Sequence, residues 1–162
     1  GLVGSEMCIR DRKEIAVEEG ISLVKYYPYY RCTLKWYQDP GLCKQVDGAA
    51  VPYDRERLGR MYRFLSSKGE CYYIKVKEKG RWRLAGDISL WNGMISVVLC
   101  KECQNRHIGR KAVACLLGRA KEVGWRYVDA EVYEFNRQSR QMFLSVGFQP
   151  IEREKLRYEL PG

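Results

Sequence analysis

Three short apolar runs in the middle of the chain constrain its fold more than any other feature. They cover residues 71–76, 83–90 and 95–99, which is strand length. The segments between them, EKGRW and WNG, are rich in turn residues, and Asn-Gly is a strong tight-turn signal. Strands joined by connections this short run antiparallel, because a parallel connection needs a dozen or more residues. The pattern therefore predicts an antiparallel meander.

The spacing of apolar residues changes after the meander. Residues 109–123 carry apolar side chains three and four positions apart, which is typical of a helix with one buried face, and Gly124 ends the pattern. Residues 127–132 alternate as a strand. Asn136 is predicted as the N-cap of a second helix that ends at Gly147, and two short strands follow around Ile151 and over residues 156–160.

The first third of the chain is predicted to supply one strand and two helices. The strand covers residues 21–25, and a short helix covers about 29–37. Asp54 is positioned as the N-cap of the second helix, which Gly69 ends. The resulting order, β-α-α-β-β-β-α-β-α-β-β, predicts an α/β fold with a mixed sheet and helices on both faces.

Length and composition indicate one domain with a basic surface. The 162 residues suit a single core, which we assign to residues 13–162. Residues 1–12, GLVGSEMCIRDR, resemble translated adaptor sequence, so we predict a non-native tail. The formal net charge of +9 favours anionic partners, namely nucleic acid, acidic proteins or a polyphosphate ligand.

The cysteines and apolar segments indicate a cytoplasmic protein without a metal or a membrane span. Seven scattered cysteines fit reduced thiols, and Cys100 and Cys103 are interpreted as two unrelated thiols. A zinc site would need two more ligands, and His107 is the chain's one histidine. No window is long and apolar enough to cross a bilayer.

The stretch QNRHIGRKAV, residues 104–113, lies between a predicted strand and a predicted helix. Backbone amides in the first turn of a helix have no partner within that helix and can bind phosphate. Gly109 would allow close approach, and Arg106, Arg110 and Lys111 add positive charge. The stretch lacks the Walker motif and the three spaced glycines of dinucleotide loops. A basic helix start facing solvent is the alternative interpretation.

Residues 83–148 resemble the core of the GNAT superfamily of acyl-CoA-dependent N-acetyltransferases. The pyrophosphate loop of that family reads Gln or Arg, two residues, Gly, one residue, then Gly or Ala. Gln104 and Gly109 match its ends, and His107 stands at the first glycine. The segment EVYEFNRQSRQMFLSVGF is similar to the second family motif, with Asn136 at the position that hydrogen-bonds the pantetheine arm. The resemblance implies a mostly antiparallel sheet of about six or seven strands flanked by helices on both faces.

The resemblance also implies the ligand and its binding residues. The co-substrate would be acetyl-CoA, with its arm in a gap between two splayed strands. Backbone groups of residues 97–99 would line that gap, and the loop would hold the pyrophosphate. The implied cofactor-binding residues are Val97, Val98, Leu99, Gln104, Asn105, Arg106, His107, Ile108, Gly109, Arg110, Lys111 and Asn136. Dimers are common in this family, so a homodimer is possible.

Attack of an amine on a thioester requires a neutral amine and a proton for the leaving thiolate. Asp87 is the best candidate to take the amine proton, acting through water, although a turn-capping or solvent-facing role is equally consistent. Many family members have a tyrosine acid seven residues after the asparagine, and Phe143 stands there. Tyr133 is the candidate substitute; otherwise the thiolate leaves unaided. Asp129 and Glu131 alternate on one strand face and could line the acceptor cleft or face water.

An aromatic cluster in the first third lies where this family builds its acceptor wall, or it caps a small core. Its members are Tyr26, Tyr27, Tyr29, Tyr30, Trp36 and Tyr37. The predicted function is acetyl transfer from acetyl-CoA to a primary amine of a small molecule or peptide, by direct attack in a ternary complex. The alternatives are a catalytically weak acyl-CoA sensor of the same fold and a basic nucleic-acid-binding module. The second is disfavoured because the basic residues are spread along the chain.

Overall fold

In the computed structural model, which describes residues 14–161, eight strands form one sheet. The strands β1 to β8 are Glu14–Glu18, Ile21–Lys25, Glu70–Glu78, Arg81–Trp91, Met94–Leu99, Tyr127–Glu131, Gln149–Glu152 and Lys155–Glu159. The helices α1 to α5 are Tyr30–Tyr37, Pro40–Asp47, Arg55–Lys68, Ile108–Glu122 and Arg137–Val146. The predicted tail, residues 1–12, lies outside the described residues.

The spatial order of the strands is β1-β2-β3-β4-β5-β6-β8-β7. Neighbouring strands are antiparallel except β5 and β6, which are parallel. This confirms the α/β class and the mostly antiparallel sheet. It also confirms the meander, whose turn at Asn92-Gly93 has positive φ at both residues, 53° and 78°.

Two elements were not predicted, and the strand count of six or seven was slightly low. Strand β1 has the alternation expected of a strand, with Ile15 and Val17 half-buried between exposed glutamates. It pairs with β2 across a short turn at Gly20, whose φ is 82°. Helix α2 begins at Pro40, and the Asp39 carboxylate accepts hydrogen bonds from the amides of Gly41 and Leu42. Asp-Pro is therefore an N-cap followed by a first-turn proline, and not only a turn.

The two faces of the sheet are covered by different helices. Tyr72 and Tyr73 are adjacent on β3 and so point to opposite faces. On one face, Tyr37 of α1 and Tyr62 of α3 contact Asp87, which lies opposite Tyr73 on β4. On the other face, Arg119 of α4 binds Glu70, the partner of the Tyr72 hydroxyl. Helix α5 packs on α4.

Strands β5 and β6 separate almost as soon as they meet. Their single registered pair is Met94 with Asp129, beside a hydrogen bond of 2.8 Å from the Asp129 amide to the Gly93 carbonyl. Strand β5 continues for five more residues without β6 beside it. One edge of β5 is therefore open along residues 96–99, as the resemblance to splayed strands implied.

Within residues 14–161, six cysteines are free thiols, and no group of three or more His, Cys, Asp or Glu side chains is placed to hold a metal ion. None of the helices in this part of the chain combines the length and hydrophobicity needed to span a bilayer.

Candidate active site

A cleft of about 880 Å³ opens where β5 and β6 separate. Its walls are β5, the end of β6, the loop that follows β5, the first turn of α4, helix α5 and one side of α2. Nine of the twelve predicted cofactor-binding residues line it: Val97, Val98, Leu99, Gln104, Asn105, His107, Gly109, Arg110 and Asn136. A volume of this size suits a large, elongated small molecule.

The loop after β5 delivers backbone amides to the cleft. A short 3-10 turn, Lys101–Cys103, follows the strand, and α4 begins at Ile108. The Lys111 amide donates to the His107 carbonyl over 3.2 Å and so begins the helical ladder. The amides of residues 108–110 precede that bond, and the helix dipole adds partial positive charge there. The predicted helix start is confirmed.

His107 is the N-cap residue of α4 and has left-handed backbone angles, φ 62° and ψ 7°. Its side chain makes no capping hydrogen bond, and the residue is exposed. A left-handed conformation is the one that glycine adopts most easily, whereas histidine adopts it at some cost. This explains physically why the family motif has glycine at this position.

Gly109 is buried in the first turn of α4 and faces the cleft. A Cβ atom there would lie 3.3 Å from Leu99 Cδ1 and 4.0 Å from Met142 Cε. That is a tight fit even for alanine, and a larger side chain would extend into the cleft. The space in front of the helix start therefore depends on this glycine.

Gln104 connects three walls of the cleft. Its side-chain Nε2 donates to the Leu99 carbonyl over 3.1 Å and to Gln45 Oε1 over 3.3 Å. Leu99 ends β5, and Gln45 lies on α2. The side chain thus fixes the loop relative to the strand and to the helix across the cleft.

The three predicted basic residues of the loop differ in their surroundings. Arg106 Nη1 lies 2.5 Å from Glu78 Oε1, and Lys111 Nζ lies 2.9 Å from Glu18 Oε2. Arg110 lines the cleft and makes no ion pair with any residue in 14–161. Neither Arg106 nor Lys111 lines the cleft, and Ile108 is buried in the core. Only Arg110 among the three points an uncompensated charge into the cleft.

Asn136 caps α5, as predicted, and also lines the cleft. Its Oδ1 accepts a hydrogen bond of 3.2 Å from the Ser139 amide. The side-chain NH₂ has no partner within residues 14–161. Because only the Oδ1 atom of Asn136 is used to cap the helix, both N–H groups of its side-chain amide can donate to a ligand in the cleft.

Asp87 does not line the cleft; it is 4% exposed and enclosed by tyrosines. The hydroxyls of Tyr37 and Tyr62 both donate to its Oδ2, over 2.6 and 2.8 Å. Burial raises the pKa of Asp87 to about 6, although the two hydrogen bonds act in the opposite direction. Burial and the Asp87 charge hold the pKa of both tyrosines well above the ordinary value, so these hydroxyls remain donors.

Most of the aromatic cluster packs around that carboxylate, whereas Tyr29 is 42% exposed. Tyr62 stacks on Tyr26 at 4.9 Å between centroids and meets Tyr73 edge-on at 5.6 Å. Tyr27 meets Tyr73 edge-on at 5.3 Å, and Tyr29 tilts against Tyr27. Tyr62 and Tyr73 were not predicted as members. Tyr62 lies on helix α3, four and three residues from the buried Leu58 and Gly59, and this spacing is consistent with burial of its ring but does not indicate that its hydroxyl binds Asp87.

Tyr133, the candidate proton donor, and Phe143, which stands at the family's tyrosine position, have different surroundings. Tyr133 is half-buried, stacks on Phe135 at 5.4 Å, and packs beside Gly48, where a Cβ would lie 3.0 Å from its ring. Its side chain does not line the cleft. Phe143 lines the cleft but packs against Phe148 in the core and carries no hydroxyl.

The two acidic residues of β6 also differ in whether they line the cleft. Asp129 is buried and accepts two hydrogen bonds from Arg157, at 2.7 and 3.0 Å, while Arg157 lies 3.8 Å from the Tyr127 ring centroid. Glu131 is exposed and lines the cleft. Of the two, Glu131 is the one that reaches the cleft.

Comparison with known proteins identifies the family. A family model described as an acetyltransferase (GNAT) domain matches residues 28–149. No curated protein sequence matches the chain.

Solved structures match over nearly the whole fold at low sequence identity. An acetyltransferase from Salmonella typhimurium that modifies the N-terminal serine of ribosomal protein L7/L12 has a TM-score of 0.73 and 12% identity, covering 92% of this chain and 100% of its own. A GNAT-family acetyltransferase from Bacillus anthracis gives 0.71 and 13%, covering 91% and 98%. The spermidine N-acetyltransferase of Vibrio cholerae, in complex with CoA and spermine, gives 0.69 and 11%, covering 88% and 96%.

Proposed function

Because the chain belongs to the GNAT acetyltransferase family, we propose that it is an acetyl-CoA-dependent N-acetyltransferase acting on a primary amine of a small molecule or peptide. One observation carries the proposal: the open edge of β5 and the start of α4, where Gly109 faces the cleft, are joined by one loop and line the same cleft. Similar structures are named as acetyltransferases of a protein N-terminal serine and of spermidine, which are both amines. These similarities support an amine as the class of acceptor.

The residues of the cleft fit acetyl-CoA in chemistry and in space. The open backbone of residues 97–99 offers peptide donors and acceptors to an amide-rich arm, as a neighbouring strand would. The amides of residues 108–110 and the Arg110 guanidinium suit a pyrophosphate. Gly109 keeps the approach to those amides clear, since a Cβ would already contact Leu99.

We propose that the reaction takes place by direct attack in a ternary complex. When bound, the co-substrate supplies a thioester: the amine nitrogen bonds to its carbonyl carbon, the carbon–sulfur bond breaks, and the amine loses one proton. The chain's part is to hold both partners in line, which alone can lower the barrier by several kcal/mol. A backbone amide along residues 97–99 would stabilise negative charge on the reacting oxygen.

We retain Asp87 as the proposed proton acceptor and Tyr133 as the proposed proton donor. Neither side chain lines the cleft. We therefore propose that the proton reaches Asp87 through water, past the hydroxyls of Tyr37 and Tyr62 that bind its Oδ2. If Tyr133 does not act, the thiolate leaves unaided, because Phe143 has no proton to give.

A second candidate is an acyl-CoA sensor of the same fold. The observation that favours it is Phe143, buried against Phe148 where many family members have a tyrosine acid. Such a protein would bind acetyl-CoA in the same cleft and release thiol slowly or not at all.

Thermal unfolding with acetyl-CoA, free CoA and single-stranded DNA tests these proposals. We expect both CoA species to raise the midpoint, because a ligand that binds the native state stabilises it by mass action. A panel of primary amines with a thiol-release readout then separates the transferase from the sensor. No response to either CoA species, together with a salt-sensitive shift with DNA, would contradict both and favour nucleic-acid binding.

A further inference from the structure

The cleft has chemically different ends on the two faces of the sheet. The phosphate-type groups, namely the first turn of α4 and Arg110, belong to the helix that covers the Tyr72 face. Met94, Ser96 and Val98 of β5 point to the other face, because Val98 pairs with Asp87 and alternate residues share a face. The cleft therefore extends from the α4 side of the sheet to the side covered by α1 and α3.

Glu131 lies on the α1 and α3 side. Met94 pairs with Asp129, so Asp129 shares its face, and Glu131 follows two residues later on the same side of β6. The packing of β8 agrees: Tyr158, opposite Val128, contacts Phe148 beneath α5 on the other face. Glu131 is thus a cleft carboxylate on the face opposite the helix start of α4.

The carboxylates near Glu131 have partners, whereas Glu131 has none within residues 14–161. Asp129 is held by Arg157, and Glu134 Oε1 lies 2.6 Å from Arg153 Nε. Lys155 lies directly across from Glu131 on β8 yet forms no ion pair with it. Among residues 14–161, the cleft lining carries positive side chains at Arg110 and Arg137, and Glu131 is the one carboxylate in it.

We propose that Glu131 binds the ammonium group of the acceptor, and that the acceptor is an aliphatic primary amine that enters from the α1 and α3 side. The inference rests on the proposed function. A carboxylate in the cleft attracts a protonated amine and forms charge-assisted hydrogen bonds with it, and it offers nothing comparable to an amine that is neutral in solution. Ser96 is exposed in the cleft on the same face of the sheet as Glu131, and we expect it to supply a second polar contact to the acceptor. Glu131 acts here by selecting and placing the acceptor. The ammonium then gives up one proton, to Asp87 or to solvent, before its nitrogen attacks the thioester as a neutral amine.

The test compares Glu131→Gln with Glu134→Gln in the full chain. Both remove one exposed carboxylate charge, and the second lies three residues away and outside the cleft. Each variant is assayed by thiol release with a panel of aliphatic primary amines and of arylamines, which are neutral at pH 7. CoA affinity is measured separately by calorimetry.

We expect Glu131→Gln to raise the KM for aliphatic amines about tenfold or more, a loss typical of a hydrogen bond to a charged group. CoA affinity, the KM for any arylamine and every property of Glu134→Gln should change less than about threefold. An unchanged KM for aliphatic amines, an equal change in both variants, or turnover of arylamines alone would overturn the inference. So would a chain that binds CoA and acetylates no aliphatic amine of the panel. Absence of CoA binding would instead defeat the proposed function itself.

Discussion

The tyrosine cluster around Asp87 and the cleft beside β5 are built from similar polar groups in opposite states. In the tyrosine cluster, hydroxyls and carboxylate satisfy one another, and the rings close over them. In the cleft, the first amides of α4, the Asn136 NH₂, Arg110 and Glu131 lack partners within residues 14–161 and face open space. Asp87 and Glu131 are both carboxylates, and only the second is available to a ligand.

The difference separates stability from binding. A buried polar group that is fully hydrogen-bonded stabilises and specifies a fold, whereas one that is left without a partner is costly unless water or a ligand reaches it. Changes in the tyrosine cluster should therefore alter unfolding and leave CoA affinity intact. Changes in the cleft should weaken CoA binding and leave the free energy of unfolding nearly unchanged.

The largest expected effect is that of Gly109→Val on cofactor binding. The valine side chain would press on Leu99 and extend into the space before the helix start, so we expect CoA binding to fall below detection, by at least about a hundredfold. The matched control is Gly118→Val in the same helix, where a Cβ meets nothing within 4 Å. Calorimetric titration with CoA measures both. Equal affinities in the two variants would show that the cleft is not the phosphate site.

The next effect concerns Asp87→Asn and the pH dependence of unfolding. Because the pKa of Asp87 is raised to about 6 in the folded state, from 3.8, the folded protein holds this proton more tightly than the unfolded chain does. The stability that Asp87 contributes is fully present below about pH 4 and is lost as pH rises through 6. Asparagine removes that loss, so the free energy of unfolding of the variant relative to the parent should rise by roughly 3 kcal/mol between pH 3 and 7.

Urea unfolding at several pH values measures this difference. Tyr62→Phe is the informative partner variant, because it removes a hydrogen bond that lowers the pKa of Asp87. The pKa should therefore rise further in this variant, and its free energy of unfolding should depend on pH more steeply than that of the parent. If the difference in free energy of unfolding between Asp87→Asn and the parent does not change with pH, the raised pKa of Asp87 is contradicted. If Asp87 is also the proton acceptor, Asp87→Asn loses turnover while its CoA affinity is unchanged.

A smaller effect distinguishes Arg110 from Arg106. Arg110→Gln should weaken CoA binding about tenfold, since its charge faces the cleft without a partner. Arg106→Gln should weaken it less than about threefold, because that guanidinium is already paired with Glu78. Titration at two salt concentrations checks the assignment, and the salt dependence should diminish mainly in the Arg110 variant. The reverse ranking would place the phosphates on the Arg106 side of the loop.

Local patterns predicted most of the fold. Turn residues such as Asn92-Gly93, the caps Asp54 and Asn136, and the stops at Gly69 and Gly147 set the bounds of helices and strands that the structure reproduces within a few residues. Strand β1 was missed because EIAVE is short and carries two glutamates. Helix α2 was missed because a proline such as Pro40 is a turn signal as well as a first-turn residue of helices.

The site was predictable where a motif lies on contiguous residues, and less so where distant segments meet. Gln104, Gly109 and Asn136 line one cleft as expected from their order along the chain. The pairing of Arg106 with Glu78, of Lys111 with Glu18, and of Tyr62 with Asp87 joins residues from 25 to 93 positions apart. No local sequence pattern indicates such a distant partner. The positive charges of Arg106 and Lys111 therefore suggested a ligand in the sequence, whereas in the fold they are paired with carboxylates.

The smallest expected effect, that of His107→Gly, tests whether the loop acts through its backbone. His107 holds φ at 62°, which glycine adopts without strain, so CoA affinity should stay the same or improve up to about threefold. The free energy of unfolding should change by no more than about 1 kcal/mol, because the relief of strain is offset by the greater freedom of glycine in the unfolded chain. Calorimetry with CoA and urea unfolding measure the two quantities. A loss of affinity of tenfold or more would show that the imidazole itself binds the ligand. At the position where the family has glycine, the loop would then bind CoA through a side chain and not through the main chain.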